Sequence, residues 1–288
     1  MKNLWSLGGL SWRQLLLRTW HESWDDEVFG QAGRLAFYHF LALFPSLLLF
    51  FFLLSHFTAA GSQLRAALTD SLNRLLPEQS AALISQMVAE FQTLPNIRVA
   101  AWSAGASVVW AAVNGTWAVM SGLNIAYEVK EERPLWKVIP IAFALTVSLA
   151  LLFSFALTFV AFASRLLPGY DARWFEWPAL SALLLVSFAL LYRFGPNLRD
   201  RKWQWSTPGA AVALVLWLTA AALMRVYSAH FHSYAFIYRQ LNGAATLLLW
   251  LYFTSAAVLI GGEMNSEIEK ATQARNGESG PHAPREGS

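Results

Sequence analysis

The pattern of apolar positions along this chain is dominated by long runs without formal charge. The run from Ala244 to Gly262 contains no charged residue. As a helix it would extend about 28 Å, close to the hydrocarbon thickness of a bilayer. A soluble core helix of this length normally has a polar face, whereas this run offers only the hydroxyl groups of Thr246, Thr254 and Ser255. The pattern therefore predicts a membrane-spanning helix.

Six apolar runs of this length predict six transmembrane helices. We place them near Leu35–Phe57, Ile97–Ser121, Val138–Ala163, Trp177–Phe194, Pro208–Tyr227 and Gly243–Gly262. The predicted fold class is thus all-α, a polytopic membrane protein. The chain divides into an N-terminal region (1–34), a membrane domain (35–270) and a tail (271–288), whose composition of Gly, Pro, Glu, Arg and Ser predicts disorder.

The N-terminal region predicts an amphipathic helix. Ser11 and Gln14 have the spacing of a capping box. Large apolar side chains then recur at every fourth residue: Trp12, Leu16, Trp20 and Trp24. Two placements are open at this point, along the membrane surface or against the protein's own cytoplasmic ends.

The longest connection, Thr58–Asn96, predicts an external helical hairpin. Leucines between positions 64 and 76 share one helical face, and a second apolar face follows Pro77. Such a hairpin would cover the outer ends of the bundle or act as a lid over a solvent-filled path.

Composition supports a membrane protein and excludes several kinds of chemistry. The chain is 56% hydrophobic and 14% charged, with 14 Trp and 20 Phe, against about 25% charged for a soluble domain. A net charge of +3 is too small to indicate nucleic-acid binding, and the absence of cysteine excludes disulfides and thiolate chemistry. His230 and His232 have no carboxylate nearby in sequence, and no phosphate loop or GxSxG motif occurs. We therefore expect neither enzymatic activity nor a cofactor.

The distribution of basic residues predicts the orientation. If the N-terminus is cytoplasmic, fourteen of the 21 Lys and Arg residues lie in the inside segments and seven in the outside segments. Positive charge favours the cytoplasmic side. Both termini are therefore predicted to face the cytoplasm of a bacterial inner membrane.

Four separated motifs resemble the YihY/BrkB family of inner-membrane proteins. They are LAFYHFLALFP at Leu35–Pro45, GLNIAYEVKEERPLWK at Gly122–Lys137, LYRFGPN at Leu191–Asn197 and LLLWLYFTSAAVLIGGEMNSEI at Leu247–Ile268. The resemblance covers residues 30–270 and implies a transporter or exporter of lipid-like or small solutes. Some family members carry an older ribonuclease name. The chain departs from the family pattern at residues 239–243, which replace a Gly-Ser-Leu-Gly-Gly segment, and at Met264, where Leu is usual.

Polar residues at membrane depth are the candidate site, because such residues are costly in lipid and tend to face protein or water. With the predicted directions, one leaflet collects His39, Asn114, Thr116, Asn124, Arg193, Glu263, Asn265 and Glu267. Glu263 and Glu267 share a helical face. We expect a polar cavity open to the cytoplasm, anchored by Glu263, with Arg193 or Arg133 as its counter-ion.

Two interpretations of these residues are open. They could form a substrate or ion path, with membrane lipid or a small solute as cargo, or they could only lock the helices together. The second interpretation suits a non-transporting scaffold in envelope biogenesis. Arg225, near the outer end of the fifth span, could snorkel to headgroups or bind an anionic group in the outer leaflet. A homo-oligomer is compatible with the sequence.

Overall fold

Helices make up all the regular secondary structure in the described part of the chain. The computed structural model describes residues 4–56, 80–82, 86, 97–166, 173–198, 207–230 and 239–275. A short 3-10 helix, Leu4–Gly9, precedes seven longer helices. These are α1 (Trp12–Asp25), α2 (Val28–His56), α3 (Ile97–Ala126), α4 (Leu135–Leu166), α5 (Arg173–Phe194), α6 (Pro208–His230) and α7 (Arg239–Arg275).

Four of these helices are long and apolar enough to cross a membrane. Their spanning segments are Leu135–Ala156, Trp177–Phe194, Pro208–Tyr227 and Gly243–Arg275. The other two predicted spans coincide with α2 and α3, and the six-span topology stays a prediction. The predicted hairpin at Thr58–Asn96 lies outside the described residues except at positions 80–82 and 86.

Helix α7 is the centre of the bundle. It contacts α1, α2, α3, α6 and the 3-10 helix, and half of its spanning segment is buried, compared with 17–28% for the other three. It also continues to Arg275, beyond the predicted boundary at residue 270. The extension is packed, since a Cβ atom at Gly8 would meet the Ala271 Cβ atom at 2.7 Å. The rest of the predicted tail lies outside the described residues.

Small residues allow α6 and α7 to approach each other at backbone distance. A Cβ atom at Gly261 would meet the Gly209 carbonyl oxygen at 2.6 Å and would collide with the Tyr192 hydroxyl group. That hydroxyl group donates a hydrogen bond of 2.8 Å to the Val258 carbonyl oxygen. Close packing of this kind is how helices associate where lipid removes the hydrophobic driving force.

The N-terminal region packs against the protein's own helices, one of the two placements that the sequence left open; placement along the membrane surface stays a prediction. The capping box at Ser11 and Gln14 is present. One stripe of α1, formed by Leu15, Thr19 and Ser23, is buried, and Leu15 packs with Met264 and Ile268 of α7 in one apolar cluster. The neighbouring apolar stripe is exposed. It consists of Trp12, Leu16, Trp20 and Trp24.

Replacement of Gly261 by Ala should destabilise the protein by about 1–3 kcal/mol, because the added methyl group meets backbone and a hydrogen-bonded hydroxyl group that cannot move aside. Thermal unfolding in detergent measures the effect. Gly33→Ala is the matched control, since the nearest atom to its added Cβ, Tyr252 Cε2, is 4.0 Å away. Equal melting temperatures for Gly261→Ala and the native chain would contradict the packing described here.

Candidate functional site

Ionisable groups from separate parts of the chain meet where α1 ends against the second half of α7. We call this region the acidic end. It is formed by Glu22, Asp26, Glu128, Glu263, Glu267 and Lys270. Apolar side chains close it on one side, where Met264 and Ile268 are fully buried.

Glu263 is the most buried of these acids, with 0% of its surface exposed. Neither of its carboxyl oxygen atoms has a hydrogen-bond partner within the described residues. Leaving a buried carboxylate unpaired is expensive, and proteins usually pair or neutralise it. The Glu263 side chain is therefore unlike an ordinary helix-end acid, which stays in solvent.

The carboxyl group that faces Glu263 belongs to Asp26. Asp26 caps the C-terminus of α1, where its backbone N–H group donates to the Glu22 carbonyl oxygen at 2.8 Å and the Glu27 N–H group donates to the Trp24 carbonyl oxygen at 3.2 Å. The next residue, Glu27, has φ = 50°, in the left-handed region that commonly ends helices. This tight turn lets α2 begin at Val28 and fixes Asp26 against α7.

Lys270 supplies the positive charge of the acidic end. Its Nζ atom lies 2.6 Å from Glu128 Oε1 and 2.9 Å from Glu267 Oε1. Glu128 follows the end of α3 with φ = 49°, and the Val129 N–H group donates to the Asn124 carbonyl oxygen at 2.9 Å. Lys270 thus ties the end of α3 to α7.

Two acids at the end of α1, Glu22 and Asp26, hold their protons more tightly than usual. Burial raises the pKa of Asp26, and the negative charge of Glu128 raises it further, while Lys270 lowers it. Burial also raises the pKa of Glu22, again against the charge of Lys270. Among the described residues, the acidic end thus brings five carboxyl groups together with one ammonium group, that of Lys270.

Asn265 joins α7 to the start of α6. Its Oδ1 atom accepts a hydrogen bond from the Gly209 N–H group at 3.0 Å, and its Nδ2 atom donates to Thr207 Oγ1 at 3.0 Å. Thr207 Oγ1 also accepts from the Ala210 N–H group, as an N-cap does. Both functions of the Asn265 amide are used, so this residue positions helices.

Asn124 organises a second polar group. Its Nδ2 atom donates to Glu131 Oε2 at 2.9 Å, and its Oδ1 atom accepts from the Asn197 N–H group at 2.7 Å. Arg133 forms a two-pronged contact with Glu131, through Nε at 2.7 Å and Nη2 at 2.6 Å, and also donates to the Gly195 carbonyl oxygen. Burial raises the pKa of Glu131, but the hydrogen bonds from Arg133 and Asn124 outweigh it and lower the pKa overall. The predicted counter-ion Arg133 therefore pairs with Glu131.

His39 and Asn114 lie at a different level of the bundle. A Cβ atom at Gly115 would meet His39 Cδ2 at 3.3 Å, which places the imidazole ring beside α3. Asn114 Nδ2 donates to the Trp110 carbonyl oxygen of its own helix at 2.6 Å. Because Asn114 precedes Asn124 by ten residues, the two amides are separated by about 15 Å along α3.

The two remaining arginines of the predicted site contact aromatic rings. The Arg193 guanidinium group lies 5.9 Å from the centre of the Phe194 ring. Arg225 lies 5.5 Å from the centre of the Trp177 ring, so it connects the ends of α6 and α5. Of these two contacts, only the Arg225–Trp177 contact joins two helices, because Arg193 and Phe194 are neighbours on α5.

Sequence reasoning did not find Asp26, Glu128 or Lys270 as partners of the Glu263 region. Asp26 belongs to the acidic stretch at the end of α1, which resembles a solvated helix end. The spacing of Glu22 and Asp26, four residues apart beside the Leu15–Thr19–Ser23 stripe, was the available signal.

Comparison with known proteins supports the membrane class defined by these helices. The family model described as Virulence factor BrkB matches residues 19–286. The chain is 26% identical over 256 residues to YfkH of Bacillus subtilis (strain 168), a protein named as ribonuclease-like, with 84% of this chain and 90% of YfkH covered. No solved structure matches the chain.

Two relatives are named UPF0761 membrane proteins. One, from Xanthomonas campestris pv. campestris (strain B100), is 26% identical over 275 residues, which cover 91% of this chain and 60% of the relative. The other, from Pseudoalteromonas translucida (strain TAC 125), is 25% identical over 255 residues, with 85% and 82% covered. The chain thus spans about 60% of the length of the Xanthomonas relative.

The apolar helices and these relatives define a multi-helix membrane protein. The chain belongs to the BrkB family, because the family model extends over nearly its whole length. The resemblance drawn from the four sequence motifs is confirmed.

Removal of the Lys270 charge by Lys270→Met should destabilise the protein, because Glu128 and Glu267 would face the other acids without compensation. We expect a loss between the roughly 1 kcal/mol of an exposed ion pair and the roughly 3–5 kcal/mol of a buried pair that loses one partner. Chemical unfolding in detergent provides the measurement. Lys130→Met is the control, since Lys130 is exposed; a similar loss in both variants would show that the pairing contributes nothing.

Proposed function

We propose that this protein is an inner-membrane transporter or exporter of a lipid-like or small charged solute, and that the acidic end faces the cytoplasm. The observation that supports this function is the Glu263 carboxyl group, fully buried and without a hydrogen-bond partner in the described residues. Ionisable groups held at such a position in membrane proteins typically serve ion or substrate pathways.

The polar residues of the candidate site have two roles: some hold helices and loops in place, and others are assigned to the transport path. Asn265 and Asn124 hold helices and loops together, as their hydrogen bonds indicate. Glu263 has no such bond to any residue that the structure describes, so it is the residue that we assign to the path. We assign His39 and Asn114 to a second position in the path, about 15 Å from Asn124 along α3. Arg225 lies beyond them, where an anionic headgroup in the outer leaflet could be bound.

A non-transporting scaffold in envelope biogenesis is the alternative. It is favoured by the exposed aromatic stripe on α1 and by the backbone-level contact between α6 and α7, which suit a rigid body that displays a surface. We propose that the protein is not a nuclease. In the described part of the chain, no group of three or more His, Cys, Asp or Glu residues is arranged to hold a metal ion, as a phosphodiester hydrolase commonly requires.

Glu263→Gln tests the transport proposal, since it keeps the shape of the side chain and removes its charge. The purified protein is reconstituted in phosphatidylethanolamine–phosphatidylglycerol vesicles that carry a fluorescent phospholipid, an organic anion or an organic cation. We expect the native chain to move one of these cargoes faster than vesicles without protein. Glu263→Gln should slow that movement about tenfold or more, a change of about 1.4 kcal/mol in the barrier.

Glu27→Gln is the matched control, because Glu27 is an exposed acid in the same turn as Asp26. It should transport at the native rate. If the native chain moves none of the three cargoes, or if Glu263→Gln is folded and as fast as the native chain, the path assigned to Glu263 is wrong. Loss of folded Glu263→Gln protein in detergent would favour the scaffold.

A further inference from the structure

Two carboxyl groups from opposite ends of the sequence are buried against each other at the acidic end. Glu263 Oε1, Glu263 Oε2 and Asp26 Oδ2 are all buried and all lack a hydrogen-bond partner within the described residues. The two side chains face each other across the junction of α1 and α7. Three oxygen atoms without a donor, in a space closed by protein, require an explanation.

One proton bound between the two carboxyl groups would supply the hydrogen-bond donor that these oxygen atoms lack. An ionised carboxylate is only an acceptor, so two of them cannot bond and instead repel each other; a protonated carboxyl group gains a donor. Paired carboxyl groups in other proteins share one proton for this reason. The described residues contain no set of ligands suited to a metal ion in its place.

The surroundings of the pair favour proton uptake. Glu22 on α1 and Glu128 after α3 are the acidic neighbours of the pair, and Glu267 on α7 lies beside Glu22. Asp25 and Tyr127 are the other titratable neighbours, and Glu269 acts on Tyr127. Lys270 is the basic group in this region, and its ammonium group already contacts Glu128 and Glu267. Burial and neighbouring acids raise the pKa of Asp26, which agrees with a held proton.

We propose that Asp26 and Glu263 bind one proton between them and that this proton fastens α1 to α7. The inference identifies the ion that a Glu263 path would carry, but it does not require that the protein transports anything. Asp26 is one residue beyond the end of α1, and the packed stripe of that helix is Leu15, Thr19 and Ser23. Loss of the proton would place two negative charges in the junction and loosen α1.

The direction of the pH dependence follows from linkage. A carboxyl group that is more easily protonated in the docked state than in the released state binds more protons when docked. Docking of α1 is therefore strongest at low pH and weakens as the pH rises through the value at which the pair loses its proton. The dependence is limited to about tenfold per pH unit, because one proton is involved.

The absence of cysteine allows a direct test with single-cysteine reporters in the full chain. Thr19→Cys places a thiol on the packed stripe of α1, at a hydroxyl group that has no hydrogen-bond partner in the described residues. Leu17→Cys places one on the exposed surface. The ratio of their maleimide labelling rates at each pH removes the intrinsic pH dependence of the reagent and measures the release of α1.

We expect this ratio to rise with pH by up to about tenfold per unit, and Glu263→Gln to abolish the rise. Asp26→Asn should also abolish the rise, and this variant provides the test if Glu263→Gln does not fold. Glu27→Gln should leave the rise unchanged. A ratio that does not vary with pH in the native background, or that rises equally in Glu263→Gln, would overturn the proposal. Because labelling is read without any cargo, its outcome is separate from that of the vesicle experiment.

Discussion

A carboxyl group with no exposed surface sets the main constraint on this structure. Glu263 lies on the central helix α7, so every element that packs there has to accommodate a group that is costly to ionise. The chain meets this constraint by bringing Asp26 to face Glu263 and by placing Lys270 one turn beyond Glu267. The packing of α1 therefore depends on the charge state of the acids on α7, because the two helices meet where these acids lie.

Two other residues of α7, one small and one polar, hold α6 against it. Gly261 lets α6 approach at backbone distance, and Asn265 uses its whole amide to hold the first turn of that helix. Both features leave little freedom between α6 and α7. The contact between α1 and α7 is different, because it combines a short apolar stripe with charged groups, so any movement at the acidic end is more easily made by α1.

The sequence predicted the helices well where hydropathy alone determines them. The predicted spans share the start of α6 at Pro208 and the end of α5 at Phe194 with the structure. The end of α7 was underestimated, because polar residues after Gly262 end the apolar run although other segments bury them. Glu263 stood out as an acid at the end of that run. Asp26 did not, since charge patterning within one segment carries no information about a partner far away in the sequence.

The seating of the 3-10 helix Leu4–Gly9 against Ala271 has a consequence for biosynthesis. Residues 4–9 are synthesised long before α7, so they find their binding surface only when α7 has been made. At roughly 5–20 residues per second, this interval is about 10–50 s. During that time the packing stripe of α1 lacks its protein partner and is exposed like the aromatic stripe beside it, and the bilayer surface is the nearest apolar phase available to both. Helix α7 thus completes this part of the assembly by binding a segment that was synthesised much earlier.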